Sequence, residues 1–154
     1  MIETERLAIR LFTEDDAEAL FAVWADPANE RFLGATPPQS VEETQAWTRR
    51  GMPWGVWERE TGELVGDCGL FRNDDGDWEL AYGFRRDRWG RGYASEAGLA
   101  CVRYGFEQLG LKRIVADVPR EHAPSIRVLE KLGFRVFREE PGRLFYEVVR
   151  GVGD

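Results

Sequence analysis

In one stretch of this chain a run of strand character leads through glycines into a helix. It reads Trp78-Glu79-Leu80-Ala81-Tyr82-Gly83-Phe84, then Arg85-Arg86-Asp87-Arg88-Trp89-Gly90-Arg91-Gly92-Tyr93-Ala94-Ser95-Glu96-Ala97. The first N–H groups of a helix have no partner within it and lie at the positive end of its dipole, so they attract anions. Gly90 and Gly92 let the backbone curl and let a ligand approach it closely. Arg85, Arg86, Arg88 and Arg91 raise the potential locally in an otherwise acidic chain. The expected chemistry is a pyrophosphate cradle. A G-x-G alone also fits a plain basic turn, and the dinucleotide fingerprint is not met, because Ser95 stands at the third glycine position.

A second feature lies in the strand itself. Trp78, Leu80, Tyr82 and Phe84 share one face, bulky and suited to a core, whereas Glu79, Ala81 and Gly83 share the other. That second face is nearly bare and carries one carboxylate, which leaves room for a ligand beside the backbone.

The elements that must position these groups follow from hydrophobic period. Leu7, Ile9 and Leu11 alternate as in a strand. Thr13 to Asp16 caps a helix with apolar positions at Ala17, Leu20, Phe21 and Trp24, ended by Asp26-Pro27. Ser40-Val41-Glu42-Glu43 opens a short helix through Ala46 and Trp47. Three strands are expected at Trp54 to Glu58, Leu64 to Phe71 and Trp78 to Phe84, joined by turns at 60–62 and 73–76 into an antiparallel meander. A helix from near Gly92 to Gly110 shows small residues at Ala94, Ala97, Gly98, Cys101 and Gly105, which permit close packing on a sheet. Arg113 to Val118 reads as a strand ended by Pro119, and Pro124 to Leu132 as a helix stopped by Gly133. Phe134 to Arg138 and Leu144 to Val149 flank a turn at Pro141-Gly142. No repeat or linker interrupts the 154 residues, so one mixed α/β domain over 1–154 is expected.

Composition narrows the function. A net charge of −7 with no long basic block argues against nucleic acid as a partner. No apolar run reaches the roughly 18 residues of a membrane span, and the charged start lacks the pattern of a secretory leader. Cys68, Cys101 and the single His122 have no metal-ligand spacing, so no metal site is expected. The expected setting is the cytoplasm.

With these residues in view, the chain resembles the GNAT superfamily of acyl-CoA-dependent N-acyltransferases, most closely its ribosomal-protein-alanine N-acetyltransferase branch. The run Trp89-Gly-Arg-Gly-Tyr-Ala-Ser-Glu-Ala97 matches one family block, and His122-Ala-Pro-Ser-Ile-Arg-Val-Leu-Glu-Lys-Leu-Gly-Phe134 matches a second, about thirty residues on. The resemblance implies a mixed, mostly antiparallel central sheet of six to seven strands flanked by about four helices. It implies acetyl-CoA as cosubstrate and direct transfer to an amine, either a protein N-terminus or a small molecule, by a monomer or homodimer. It assigns the cofactor to Phe84, Arg85, Arg86, Arg88, Gly90, Arg91, Gly92, Tyr93, Ala94, Ser95, His122 and Ser125. Glu79 is the candidate base or anchor for the substrate ammonium, and Ser125 the candidate hydrogen-bond donor to the leaving sulfur, its bland alternative being a helix cap. Glu96, Phe32 and Trp54 are candidates for the amine pocket, with dipole pairing for Glu96 and core packing for the two aromatics as the competing readings. Three positions depart from the family pattern: Asp87 where Arg or Gln is preferred, His122 where Asn holds the pantetheine arm, and Leu129 where many members carry a Tyr. The departures at His122 and Leu129 make a non-catalytic acyl-CoA sensor the rival reading.

Overall fold

A computed structural model describes residues 1–27, 39–49 and 54–151. Its strands, in chain order, are β1 (Ile2–Glu3), β2 (Leu7–Leu11), β3 (Trp54–Glu58), β4 (Leu64–Arg72), β5 (Trp78–Phe84), β6 (Arg113–Pro119), β7 (Arg135–Glu140) and β8 (Arg143–Val149). The helices are α1 (Ala17–Ala25), α2 (Val41–Arg49), α3 (Tyr93–Glu107) and α4 (Ala123–Lys131). The strands form one sheet in the order β1-β2-β3-β4-β5-β6-β8-β7. Every neighbouring pair is antiparallel except β5 and β6.

The sheet exceeds the expected six to seven strands by β1. Two residues, pairing Ile2 with Ile9 and Glu3 with Ala8, are too few to carry a strand period, so the sequence gives no sign of it. The meander follows the pattern, and β4 and β5 keep an unbroken register from Gly66↔Phe84 to Arg72↔Trp78. No bulge therefore switches the faces of β5. Leu80 and Phe84 enter the main core and Tyr82 packs against it, as their shared parity requires. Trp78, at the strand's end, is only half-buried.

α3 lies on that core face through Ala97, Cys101 and Val102. Its small residues are used for contact: a Cβ built on Gly98 would fall 2.7 Å from Leu132 Cδ1, and one on Gly105 would fall 2.8 Å from Leu70 Cδ1. α1 builds a separate cluster with Phe12, Leu20, Trp24 and Leu64, against which Trp47 and Trp57 pack. Leu64 and its neighbour Val65 belong to different clusters, so α1 and α3 cover opposite faces of β4.

Candidate active site

Beyond Phe84 the chain makes one tight turn over Arg86–Arg88 and then reaches Gly90 and Gly92, at φ 78° and 80°. These left-handed values are open to glycine and strained for other residues. Gly92 caps α3, and Glu96 N donates to Gly92 O as the helix begins. The N–H groups of Tyr93, Ala94 and Ser95 precede that bond and so lack helical acceptors. The Trp89 indole reaches back to Phe84 O at 3.0 Å and fixes the loop on the end of β5.

The arginines behave differently from expectation. Arg88 binds Glu58 at 3.3 Å, Asp87 at 3.0 Å and Glu63, and its side chain is only 13% exposed. Arg85 binds Asp87 at 2.8 Å, and Arg91 lies 3.6 Å from Glu58. Arg86 stacks over the Trp89 ring. Buried Glu58 anchors this group: the Tyr93 hydroxyl, donating at 2.6 Å, is the main cause holding its carboxyl below the usual range, with Thr61 and Arg88 adding to it. Three carboxylates thus largely cancel the local positive potential that the arginine run suggested. Anion attraction falls mainly to backbone N–H groups and the helix end.

β5 and β6 touch at a single register position, Glu79↔Val115, whereas β6 pairs with β8 from Arg113↔Val149 to Pro119↔Arg143. Past Glu79 the two parallel strands part. Arg85 N donates to Val65 O on the β4 side, and strand alternation then turns the N–H groups of Tyr82 and Phe84 away from β4, into the opening.

Glu79 stands where the strands part. It is half-buried, and Asn73 Nδ2 donates to its Oε1 at 3.1 Å. Burial raises its proton affinity above the usual carboxylate range, Asp117 and Asp75 add to the rise, and Asn73 and Arg143 only partly offset it. Across the opening, at the start of α4, His122 Nδ1 accepts from Ser125 N at 3.1 Å, so the cap of this helix is His122 rather than Ser125. The Ser125 hydroxyl instead lies 2.8 Å from the Tyr82 hydroxyl, which also donates to Ser125 O at the longer distance of 3.3 Å. Sequence reasoning placed Tyr82 with the core residues. The available signal was chemical, since a buried phenol needs a partner for its O–H, but no spacing joins positions 82 and 125.

The remaining candidates separate. Glu96 accepts from Thr4 Oγ1, from Arg6 N at 2.9 Å and from Arg6 Nε at 2.7 Å. Burial opposes its ionisation, but these donors outweigh burial and hold it below the usual range. Trp54 packs against the main core, edge-on to Tyr104 at 5.0 Å. Phe32 lies outside the described residues. Cys68 and Cys101 are buried, and no cluster of metal-ligating side chains occurs among the described residues.

Three comparisons bear on this arrangement. The profile of the acetyltransferase (GNAT) domain matches residues 6–135. The uncharacterized N-acetyltransferase p20 of Bacillus licheniformis is 32% identical, over 92% of this chain and 89% of that protein. The crystal structure of a GNAT-family acetyltransferase from Bacillus anthracis superposes with a TM-score of 0.82 at 28% identity, covering 96% of this chain and 97% of the other. Ribosomal-protein-S5-alanine acetyltransferase from Vibrio fischeri shares the fold at a TM-score of 0.76 with 16% identity, covering 97% of this chain and 96% of that one.

Proposed function

The chain belongs to the GNAT acetyltransferase family and is an N-acetyltransferase, and from that premise we propose that it moves an acetyl group from acetyl-CoA to a primary amine by direct attack, residues 1–154 acting as one catalytic unit. The observation that carries this reading is the parting of β5 from β6, with a half-buried carboxyl of raised proton affinity at its closed end and a hydroxyl pair across it. Acetyl-CoA supplies an activated acyl group, a thiol leaving group and a diphosphate. The N–H groups of Tyr93, Ala94 and Ser95, approached across Gly90 and Gly92, hold the diphosphate. Those of Tyr82 and Phe84 face the opening and stabilise the charge that grows on the carbonyl oxygen. Arg86 and Arg91 flank the cradle, while Arg85 and Arg88 fix its shape through their carboxylates. His122 orders the start of α4 beside the cofactor arm.

Glu79 accepts a proton from the arriving amine, directly or through water. Burial suits it to that task, because a carboxyl of raised proton affinity is a stronger base near neutral pH. An α-amine, with a pKa of about 7.7–8.0, is roughly a tenth neutral at pH 7, a few hundredfold more than a lysine. A single carboxylate therefore suffices for an α-amine. The acceptor class proposed is an α-amine or a small amine of similar basicity. The resemblance of the two motif blocks to the ribosomal-protein-alanine enzymes supports a protein N-terminus as the acceptor, and the proposed setting is the cytoplasm. Among the described residues, no helix is long and apolar enough to cross a membrane. Glu96 and Trp54, bound to Arg6 and to Tyr104, serve the scaffold in this reading rather than the acceptor.

The test is release of free thiol from acetyl-CoA in the presence of N-terminal peptides and small amines. Amine-dependent release with a matching acetylated product is expected. Saturable CoA binding with no acetylation of any acceptor would instead mark a sensor.

A further inference from the structure

Among the described residues, hydrogen bonds between Tyr82 and Ser125 cross the opening between β5 and β6. Tyr82 is rooted in β5, opposite Cys68 of β4, and its ring packs against the main core, so the phenol reaches α4 from a rigid base. Ser125 is held from its other side, since its backbone N–H is bound by His122 Nδ1. Two hydroxyls 2.8 Å apart share one proton between them, and the direction of that bond decides what Ser125 can do. A phenol is a better donor and a poorer acceptor than an aliphatic alcohol. With Tyr82 donating, the serine proton is left to point elsewhere. With Ser125 donating, that proton is used up inside the pair.

We propose that Tyr82 is the positioning residue of the leaving-group site, donating to Ser125 Oγ so that the serine O–H is aimed at the sulfur of the departing thiol. This rests on the reading of the chain as an acetyl-CoA-dependent transferase. In the step itself the amine nitrogen forms a bond to the carbonyl carbon, the C–S bond breaks, and sulfur leaves with the electron pair. The amine proton goes to Glu79 or its water, and the thiolate is stabilised by the Ser125 hydroxyl. Tyr82 keeps its own proton throughout. Burial pushes its hydroxyl up to about 12, with Ser125 opposing and Cys68 adding to the rise, so a phenolate in this position is costly. The pair therefore works by orientation and hydrogen bonding, and no proton is relayed through it. On α4 itself Leu129, about one turn beyond Ser125, is buried in the core and offers no hydroxyl, so the phenol at this site comes from the sheet.

The experiment compares wild type, Tyr82→Phe, Ser125→Ala and the double variant. Loss of one hydrogen bond predicts a fall in kcat of about fivefold to tenfold for Tyr82→Phe, with the KM for acetyl-CoA changed less than ~twofold. Tyr82→Phe in the Ser125→Ala background should change kcat by less than ~twofold, because the two residues act as a unit. A readout apart from turnover is the affinity ratio of CoA to desulfo-CoA by calorimetry at pH 7 and pH 9, since the ionised fraction of the thiol rises between them. Wild type should favour CoA, and both single variants should erase that preference. An equal kcat loss in both backgrounds, or an unchanged affinity ratio, overturns the proposal. Should Tyr82→Phe fold poorly, a CoA preference retained by Ser125→Ala still overturns the proposal. Wild type that fails to bind CoA at all would defeat the transferase reading, whereas binding that is indifferent to Tyr82 and Ser125 defeats only this assignment.

Discussion

Glu79 and Asp67 are both carboxyls whose proton affinity burial raises, and they differ in what stands beside them. Glu79 has a hydrogen-bond donor in Asn73 and lies where β5 and β6 part, whereas Asp67 lies between α1 and the sheet. If it takes the amine proton, Glu79→Gln lowers kcat/KM by about a hundredfold near pH 6.5 and by less near pH 9, where the amine is already neutral. A pH–rate profile decides the matter, since a loss that is uniform with pH would make Glu79 an ammonium anchor. At this scale the sequence shows charged residues well and their partners poorly. Glu79 stands out on a bare strand face, and Gly90 and Gly92 by their spacing. The use of Tyr82 depends on a helix that begins 41 residues later, and the neutralisation of Arg88 depends on Glu58 and Glu63 from another strand and its turn.

Among the elements, the junction of β5 with α3 is the one whose geometry a single substitution tests. Gly92 holds φ 80° as the cap of α3, and an added Cβ there would find only Arg6 Nη2, at 3.5 Å. The position is thus demanding in conformation and in keeping the backbone open, while crowding is slight. Gly92→Val should cost about 1–2 kcal/mol of local strain and reduce CoA affinity at least about tenfold, with circular dichroism unchanged. Unaltered CoA affinity in a calorimetric titration would remove the cradle from this loop. Long elements with a clear period were legible: β4, β5, α3 and α4 fall where alternation and helical spacing place them. β1 was not, having two residues, and α3 ends at Glu107, ahead of the glycine at 110 that seemed to mark its stop. Gln108 N still bonds Tyr104 O and Leu111 N bonds Gly105 O, so the last turn unwinds toward Gly110 rather than ending on it.

For the molecule as a whole, Asp67 sets a pH dependence of stability. It lies between α1 and the sheet, opposite Gly83 in register, beside a small recess lined by Leu20, Val23, Leu64 and Phe84. Burial raises its carboxyl from 3.8 to about 7. Trp24 Nε1 makes no hydrogen bond of normal geometry, yet its attraction and a Gly83 backbone bond oppose the rise only in part. The folded state therefore holds a proton that the unfolded chain releases at lower pH. The associated stability is complete below about pH 4 and is lost as pH climbs through about 7. Asp67→Asn should accordingly come closest to wild type in melting temperature at or below about pH 4 and exceed it by several degrees at pH 8, at about 2–4 °C per kcal/mol for a chain of this size. A gap that is constant with pH would show that Asp67 ionises freely. This property was invisible in the sequence, where Asp67 is one more acidic residue among 28 and its distance from α1 is unknown.

The contacts of Glu96 with Thr4 and Arg6 couple the first residues of the chain to the mouth of the cradle, because the same Arg6 guanidinium also donates to Arg91 O at 2.8 Å. A fusion tag or a clipped leader at that end is consequently no neutral convenience for the biochemist. Altering the segment slackens a guy-rope on the loop proposed to grip the nucleotide, and such preparations should be judged by how tightly they hold CoA before their turnover is compared.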